Sequence, residues 1–101
     1  MVSVEWSALA ERQLLEIYQY YSMNVSPVIA KKIVNKIVKR VEILYKNPLS
    51  GTREKLLSEY PEDFRYLVET NYKIIYWLHD DQITIASVFD CRQNPEKMKF
   101  K

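Results

Sequence analysis

The chain has 101 residues, of which 48% are hydrophobic, 28% are charged and one is a cysteine, and its formal net charge is +2. The single cysteine excludes an internal disulfide and fits a reducing cytosol, and the lack of an apolar run of about 20 residues excludes a transmembrane helix. Because the N-terminal residues lack the basic and apolar regions of a signal peptide, we expect one cytoplasmic domain over residues 1–101.

The N-terminal part begins with a weakly alternating run, Met1–Trp6, that predicts a short strand. Ser7 is a good N-cap for a helix over residues 8–23. Apolar side chains recur along this helix at the spacing of one buried face. They are Ala10, Leu14, Ile17, Tyr18 and Tyr21.

A second helix is predicted to begin at Ser26-Pro27, with a proline in its first turn, and to end at Asn47-Pro48. Its apolar face consists of Ala30, Ile33, Val34, Ile37, Val41, Leu44 and Tyr45. The opposite face carries Lys32, Lys36, Lys39 and Arg40. Because the link between the helices is short, we expect an antiparallel helical hairpin.

The C-terminal part carries three runs of aromatic and β-branched residues, which predict strands at Phe64–Glu69, Tyr72–Leu78 and Ile83–Phe89. The last run alternates, so Ile83, Ile85, Ser87 and Phe89 are expected on one face of the sheet, and Thr84, Ala86 and Val88 on the other. Residues 53–57 predict a short edge strand, and residues 95–100 predict one helical turn. This order predicts an α+β fold, in which the helical hairpin packs on one face of a small antiparallel sheet.

Taken together, these segments resemble the RelE/ParE superfamily of bacterial toxins from type II toxin–antitoxin pairs. The resemblance covers nearly the whole chain. It is carried by Trp6-Ser7-Ala8, Leu14, Ile17, Tyr20, Ala30, Ile37, Leu44, Pro48, Gly51, Arg65, Tyr72-Lys73-Ile74-Ile75-Tyr76, Ile85 and residues 88–95. The long hairpin and the ending Arg92-Gln93-Asn94-Pro95 resemble the ParE branch more than RelE.

The resemblance implies a small toxin that is held inactive by an antitoxin encoded beside it. We therefore expect an antitoxin partner and a hetero-oligomer of toxin and antitoxin. RelE-like members cut messenger RNA on the ribosome, and ParE-like members inhibit DNA gyrase. The fold alone does not separate these two activities.

Three cations, Arg65, Lys73 and Arg92, are the first candidate site residues. By resemblance, Lys73 matches a position where RelE-like enzymes carry an arginine, and Arg92 matches the arginine after their last strand. We expect the three charged ends on one side of the sheet, where they could bind a phosphate. The competing interpretation is that Arg65 and Arg92 pair with Glu69 or Asp90 and only tie the sheet together.

A second set of basic residues lies in residues 26–56, where basic residues outnumber acidic ones. Such a segment attracts an anionic partner, although a merely solvated helix face would carry the same residues. The candidates for target or anion binding in this segment are Lys32, Lys36, Lys39 and Arg40.

Groups for acid–base chemistry are scarce. The tail after Arg92 contains neither the tyrosine nor the histidine that RelE-like enzymes carry there. The two strand lysines of those enzymes would fall near Phe64 and Tyr66, and they are absent too. We expect His79 at a surface turn and Cys91 as a small buried residue. No motif indicates a metal site or a cofactor, and none is expected.

The favoured interpretation is a ParE-type toxin that inhibits DNA gyrase by binding and is not an enzyme. Two alternatives stay open. One is a ribosome-dependent, metal-independent endoribonuclease that uses Arg65, Lys73 and Arg92. The other is an inactive toxin-like fold that only binds an antitoxin.

Overall fold

The computed structural model describes residues 2–99 and contains two α-helices packed on a five-stranded sheet. The strands are β1 (Ser3–Trp6), β2 (Thr52–Arg53), β3 (Arg65–Glu69), β4 (Tyr72–His79) and β5 (Gln82–Asp90). The helices are α1 (Ala8–Asn24) and α2 (Pro27–Arg40), and short 3₁₀ turns occupy Val41–Tyr45, Lys55–Leu57 and Pro95–Met98. The predicted α+β fold is confirmed.

The strands lie in the order β1-β5-β4-β3-β2. All neighbours are antiparallel except β1, which runs parallel to β5. The edge strand β2 is shorter than predicted, because residues 55–57 wind into a 3₁₀ turn. Two-residue turns join β3 to β4 and β4 to β5, and each begins with a residue at positive φ, Thr70 and Asp80.

Both helices begin with the predicted serine caps. The Ser7 hydroxyl accepts a hydrogen bond from the N–H of Ala10 (3.0 Å), and the Ser26 hydroxyl accepts one from the N–H of Ile29 (3.1 Å). These bonds satisfy donors that have no partner within the helix. Among residues 2–99, neither helix is long and apolar enough to cross a membrane.

The face of the sheet beneath the helices, called here the helix-side face, carries the larger core. Ile37 and Leu44 are fully buried there, and Leu14, Ile17 and Ile33 pack against the same cluster. Lys32, Lys36 and Lys39 are exposed, so the predicted orientation of both helices is confirmed.

Two tyrosines predicted in this core lie outside it. Tyr18 is 37% exposed at the margin of the α1 stripe. Tyr45 is 51% exposed because α2 ends at Arg40 and the chain continues as a 3₁₀ turn. The tighter winding of a 3₁₀ turn rotates its side chains away from the direction that a continued α-helix would give them.

The opposite face, called here the second face, is covered by irregular chain. Phe64, Leu57 and Met98 pack there against Ile75 and Phe89 of the sheet. Leu57 and Phe64 come from residues 54–64, and Met98 comes from the C-terminal turn. The sheet therefore lies between two apolar layers, only one of which is helical.

A β-bulge overturns the predicted alternation of β5. Ile85 pairs with Tyr76 and Ser87 pairs with Ile75, so Ala86 is an extra residue. The extra residue shifts the alternation by one position. Val88 consequently joins the helix-side core with Ile85, whereas Phe89 packs on the second face.

Candidate functional site

The three predicted cations do not form one site. Arg65 lies opposite Tyr76, whose ring belongs to the helix-side core, whereas Lys73 lies opposite Val68. Paired residues of antiparallel strands share a face, and side chains alternate along each strand. Arg65 and Lys73 therefore point to opposite faces of the sheet, and the predicted shared phosphate site is wrong.

Arg92 is also separated from Arg65. It follows Asp90, which pairs with Tyr72 at one end of β4, whereas Arg65 pairs with Tyr76. Four residues of strand span about 13 Å.

Arg65 anchors the chain that enters β2. Its guanidinium donates to the carbonyl oxygens of Leu49 (3.3 Å) and Gly51 (3.1 Å) and pairs with Asp63 (3.2 Å). The N–H of Gly51 donates to the Tyr76 hydroxyl at 2.8 Å. Burial raises the pKa of the Tyr76 phenol above its ordinary value. Arg65 pairs with Asp63 rather than with the predicted Glu69, and it holds a loop.

Lys73 is neutralised by a buried carboxylate. Its Nζ lies 2.7 Å from Oε2 of Glu54, whose side chain is only 3% exposed. Oε1 of Glu54 accepts a hydrogen bond from the N–H of Leu56 (3.1 Å), and Lys73 Nζ lies 4.2 Å from the centre of the Tyr66 ring. A phosphate at Lys73 would compete with this carboxylate and leave it buried without its cation, which is costly.

Arg92 forms the predicted pair with Asp90. Its Nε and Nη2 donate to the two carboxylate oxygens at 3.0 and 2.8 Å, and its backbone N–H donates to Oδ1 at 2.9 Å. These bonds hold the pKa of Asp90 below its ordinary value. Beside them, burial raises the pKa of Tyr72, and the neighbouring Tyr21 and Asp90 raise it further.

A groove of about 460 Å³ lies between α1 and the end of β5, next to Arg92. Its walls are Gln13, Glu16, Ile17, Tyr20, Tyr72, Val88, Phe89, Asp90, Arg92, Gln93 and Lys97. The Arg92 side chain is 58% exposed, so it can contact a bound molecule without leaving Asp90.

The second set of predicted cations forms one surface, called here the α2 basic face and made of Lys32, Lys36, Lys39 and Arg40. The three lysines are exposed, and within residues 2–99 none of them has an ion-pair partner. Nε of Arg40 donates to the carbonyl oxygen of Val68 at 3.1 Å, which ties α2 to β3.

The remaining reactive side chains form no catalytic cluster in the described part of the chain. His79 is exposed at the end of β4, as predicted, with Asp80 3.6 Å away. Cys91 is exposed, so its predicted burial is wrong, because β5 ends at Asp90 and Cys91 lies in the turn that follows. Within residues 2–99, no group of three histidine, cysteine or carboxylate side chains is arranged to hold a metal ion.

Sequence reasoning missed two residues that shape these sites, Glu54 and Gln13. Glu54 stands among basic residues with no local pattern that marks it as buried. Gln13 lies on the polar side of α1, yet its side-chain oxygen accepts a hydrogen bond from the backbone N–H of Val88 (2.7 Å). Both roles depend on contacts between distant parts of the chain.

Comparison with known proteins gives a consistent result. The family described as "ParE toxin of type II toxin-antitoxin system, parDE" matches residues 4–95. A solved structure described as the chromosomal ParDE TA system from P. aeruginosa is 27% identical, with a TM-score of 0.76 over 89% of this chain and 96% of that one. The YoeB dimer from Staphylococcus aureus is 26% identical, with a TM-score of 0.54 over 86% and 93% of the two chains. No curated protein sequence matches.

Proposed function

The chain belongs to the ParE toxin family of type II toxin–antitoxin systems, and from this premise we propose that it inhibits DNA gyrase by binding and does not cleave RNA. The observation that carries the proposal is the separation of Arg65, Lys73 and Arg92, each of which is paired with its own carboxylate. Cleavage by 2′-hydroxyl attack needs cations gathered around one phosphate.

The available acid–base groups support the same proposal. A nuclease of this kind needs one group that takes a proton and another that gives one, and each contributes about 10²–10⁴-fold in rate. His79 is exposed at the far end of β4 from Arg92, because it pairs with Gln82 whereas Arg92 follows Asp90. A His79 general acid would therefore act far from Arg92 and the groove beside it.

Binding requires only a complementary surface, and the α2 basic face supplies one. Its cations lie on a single 14-residue helix, which is about 21 Å long. Gyrase acts on DNA, and a DNA duplex carries one negative charge per about 1.7 Å of its axis. We therefore assign target binding to Lys32, Lys36, Lys39 and Arg40.

We also propose a cognate antitoxin as the second partner. The tip of the helical hairpin exposes three apolar side chains, Met23 (86%), Val25 (60%) and Val28 (74%). Adjacent apolar and cationic surfaces suit an acidic segment that orders as it binds. The P. aeruginosa relative is itself described as a ParDE toxin–antitoxin system.

Two assays with purified protein test the proposed target. We expect inhibition of gyrase supercoiling, and no cuts in messenger RNA on translating ribosomes. A variant with Lys32→Glu, Lys36→Glu and Lys39→Glu should lose inhibition and remain folded, since all three side chains are exposed. Glu11→Lys and Glu16→Lys on α1 serve as control changes of surface charge.

Two results would contradict the proposal. Codon-positioned cuts that disappear in Arg92→Ala would identify a ribosome-dependent nuclease. No effect in either assay, together with tight antitoxin binding, would identify an inactive antitoxin-binding fold.

A further inference from the structure

The outward side of α2 carries positive charge and no carboxylate. Lys31 extends the α2 basic face, and like Lys32, Lys36 and Lys39 it is exposed and has no ion-pair partner within residues 2–99. The helix contains five basic residues and no acidic one. Since the whole chain has a formal net charge of only +2, positive charge is concentrated on this helix rather than spread over the surface.

The exposed polar side chains of α2 form a crest with two flanks. Successive residues of an α-helix lie about 100° apart around its axis, so Asn35 and Lys39 each lie about 160° from the fully buried Ile37. These two residues form the crest that points away from the core. Lys31 and Lys36 lie about 140° apart around the axis, one on each side of the crest. Lysines therefore extend from the crest and from both flanks.

This arrangement matches the major groove of B-form DNA. The groove is about 12 Å wide and admits an α-helix. Phosphates line both of its walls, so cations on both flanks of a helix can contact both walls while the crest faces the base edges. A flat anionic surface of a protein contacts one side of a helix and would leave one flank of α2 unused.

Two residues mark where the attraction for phosphate ends. Nε of Arg40 donates to the Val68 carbonyl oxygen at 3.1 Å, so Arg40 holds α2 on the sheet and leaves the four lysines for phosphate. Glu42 is exposed in the 3₁₀ turn that follows α2 and would repel a phosphate there. Because the helix dipole is positive at the N-terminus of α2, the attraction is strongest in its first half.

We propose that α2 of the toxin binds duplex DNA directly in the major groove. Lys31 contacts phosphates on one wall, and Lys32 and Lys36 contact those on the other. The partner of this helix face is then the DNA on which gyrase acts, so the inference rests on the target binding proposed above for the α2 basic face. Binding depends little on base sequence, because phosphate contacts carry no sequence information.

Fluorescence anisotropy with purified toxin and a short labelled DNA duplex, in the absence of gyrase, tests this contact. The toxin should bind with a Kd of about 10⁻⁴–10⁻⁶ M at physiological salt. With four lysines on phosphates, the logarithm of the binding constant should fall with the logarithm of the salt concentration at a slope of about −3.6. An RNA duplex of the same sequence should bind at least about tenfold more weakly, since its major groove is too narrow for side chains.

A glutamine variant measures the contribution of α2 to this binding. It carries Lys32→Gln, Lys36→Gln and Lys39→Gln, and it should flatten the salt slope to about −0.9 because one lysine remains on phosphate. A control variant removes the same charge from exposed positions outside α2 and should keep the wild-type slope. The control carries Arg12→Gln, Lys55→Gln and Lys97→Gln.

A change in the opposite direction gives an independent readout. Glu42→Gln removes the carboxylate that follows α2 and should tighten DNA binding about threefold, as the loss of one charge repulsion through water does. Unchanged or weaker binding by this variant would mean that the DNA does not lie along α2.

The DNA-binding and gyrase assays together separate the DNA contact from the choice of target. If the toxin inhibits gyrase but binds DNA no better than the glutamine variant does, α2 contacts the gyrase protein, and only the inference fails. Equal binding of the DNA and RNA duplexes would overturn docking in the groove. Equal loss of binding in the glutamine and control variants would overturn the role of α2. DNA binding that depends on α2, without inhibition of gyrase, would support the inference and refute the proposed target.

Discussion

The two faces of the sheet are covered in different ways. The helix-side face lies under two capped helices whose apolar side chains recur at regular spacing. The second face lies under two short irregular segments, residues 54–64 and the turn at Pro95–Met98. Two ion pairs hold these segments: Lys73–Glu54 attaches the first to the sheet, and Lys99–Glu59 joins the second to the first at 2.8 Å.

The helices and the irregular segments are held on the sheet by different kinds of contact. Many equivalent apolar contacts hold the helices, so no single polar side chain decides their position. A few specific contacts between residues distant in sequence hold the irregular cover. Substitutions of polar side chains should therefore cost more on the second face, and the same cover keeps Lys73 away from an anionic ligand.

Lys73→Met should produce the largest loss of stability. The substitution leaves the buried Glu54 carboxylate without its cation, which should cost about 3 kcal/mol in the free energy of unfolding. Lys36→Met, a matched change on the exposed face of α2, should stay within about 0.5 kcal/mol of wild type. Urea unfolding of both variants measures the difference.

A second variant checks the cause of that loss. Glu54→Gln added to Lys73→Met removes the unpaired charge and should recover most of the lost stability. Equal stabilities of Lys73→Met and Lys36→Met would mean that the ion pair does not hold the cover.

Gly51→Ala tests whether irregular chain is equally specific where it meets the helix-side face. A Cβ at Gly51 would lie 2.6 Å from the Tyr76 hydroxyl and 2.9 Å from the Tyr66 carbonyl oxygen. Overpacking of this kind costs about 2 kcal/mol. Ser50→Ala at the neighbouring exposed position is the control, and thermal unfolding measures the midpoint of each variant. The same midpoint for both variants would refute the expected clash.

Asp90 should give a smaller effect that depends on pH. The hydrogen bond from Arg92 lowers the pKa of the Asp90 carboxyl in the folded protein. The ionised carboxyl therefore stabilises the folded state above its unfolded pKa of about 3.9, and this stabilisation is lost as the pH falls through the folded pKa. Wild type should be more stable than Asp90→Asn near neutral pH, and the gap should close below about pH 4. Urea unfolding at neutral pH and below about pH 4 measures this difference in the free energy of unfolding. If the difference is the same at both pH values, it has a cause other than the ionised Asp90 carboxyl.

Lys99→Ala should have the smallest effect on global stability. Its ion pair with Glu59 is exposed, and exposed pairs contribute little. The local effect should be clearer, since this pair joins the two irregular segments. The amides of Glu96, Lys97 and Met98 should exchange faster, whereas those of α1 should not change. Equal acceleration in both would indicate a general loss of stability.

The same contrast explains how far the sequence alone could lead. Helical spacing and serine caps predicted α1, α2 and the exposure of Lys36. No periodic signal marked Glu54 as the partner of Lys73, because 19 positions separate them along the chain. The bulge at Ala86 inserts one residue into a run that otherwise alternates. These features follow from tertiary contacts that local patterns do not contain.

The central claim is that the toxin acts through the α2 basic face and not through the second face of the sheet. The most direct measurement is gyrase supercoiling in the presence of two folded variants. Glu54→Gln with Lys73→Met changes the second face, and Lys32→Glu with Lys36→Glu and Lys39→Glu changes α2. We predict that the first variant inhibits gyrase as wild type does and that the second does not. Loss of inhibition in the first variant, with full inhibition in the second, would contradict this account.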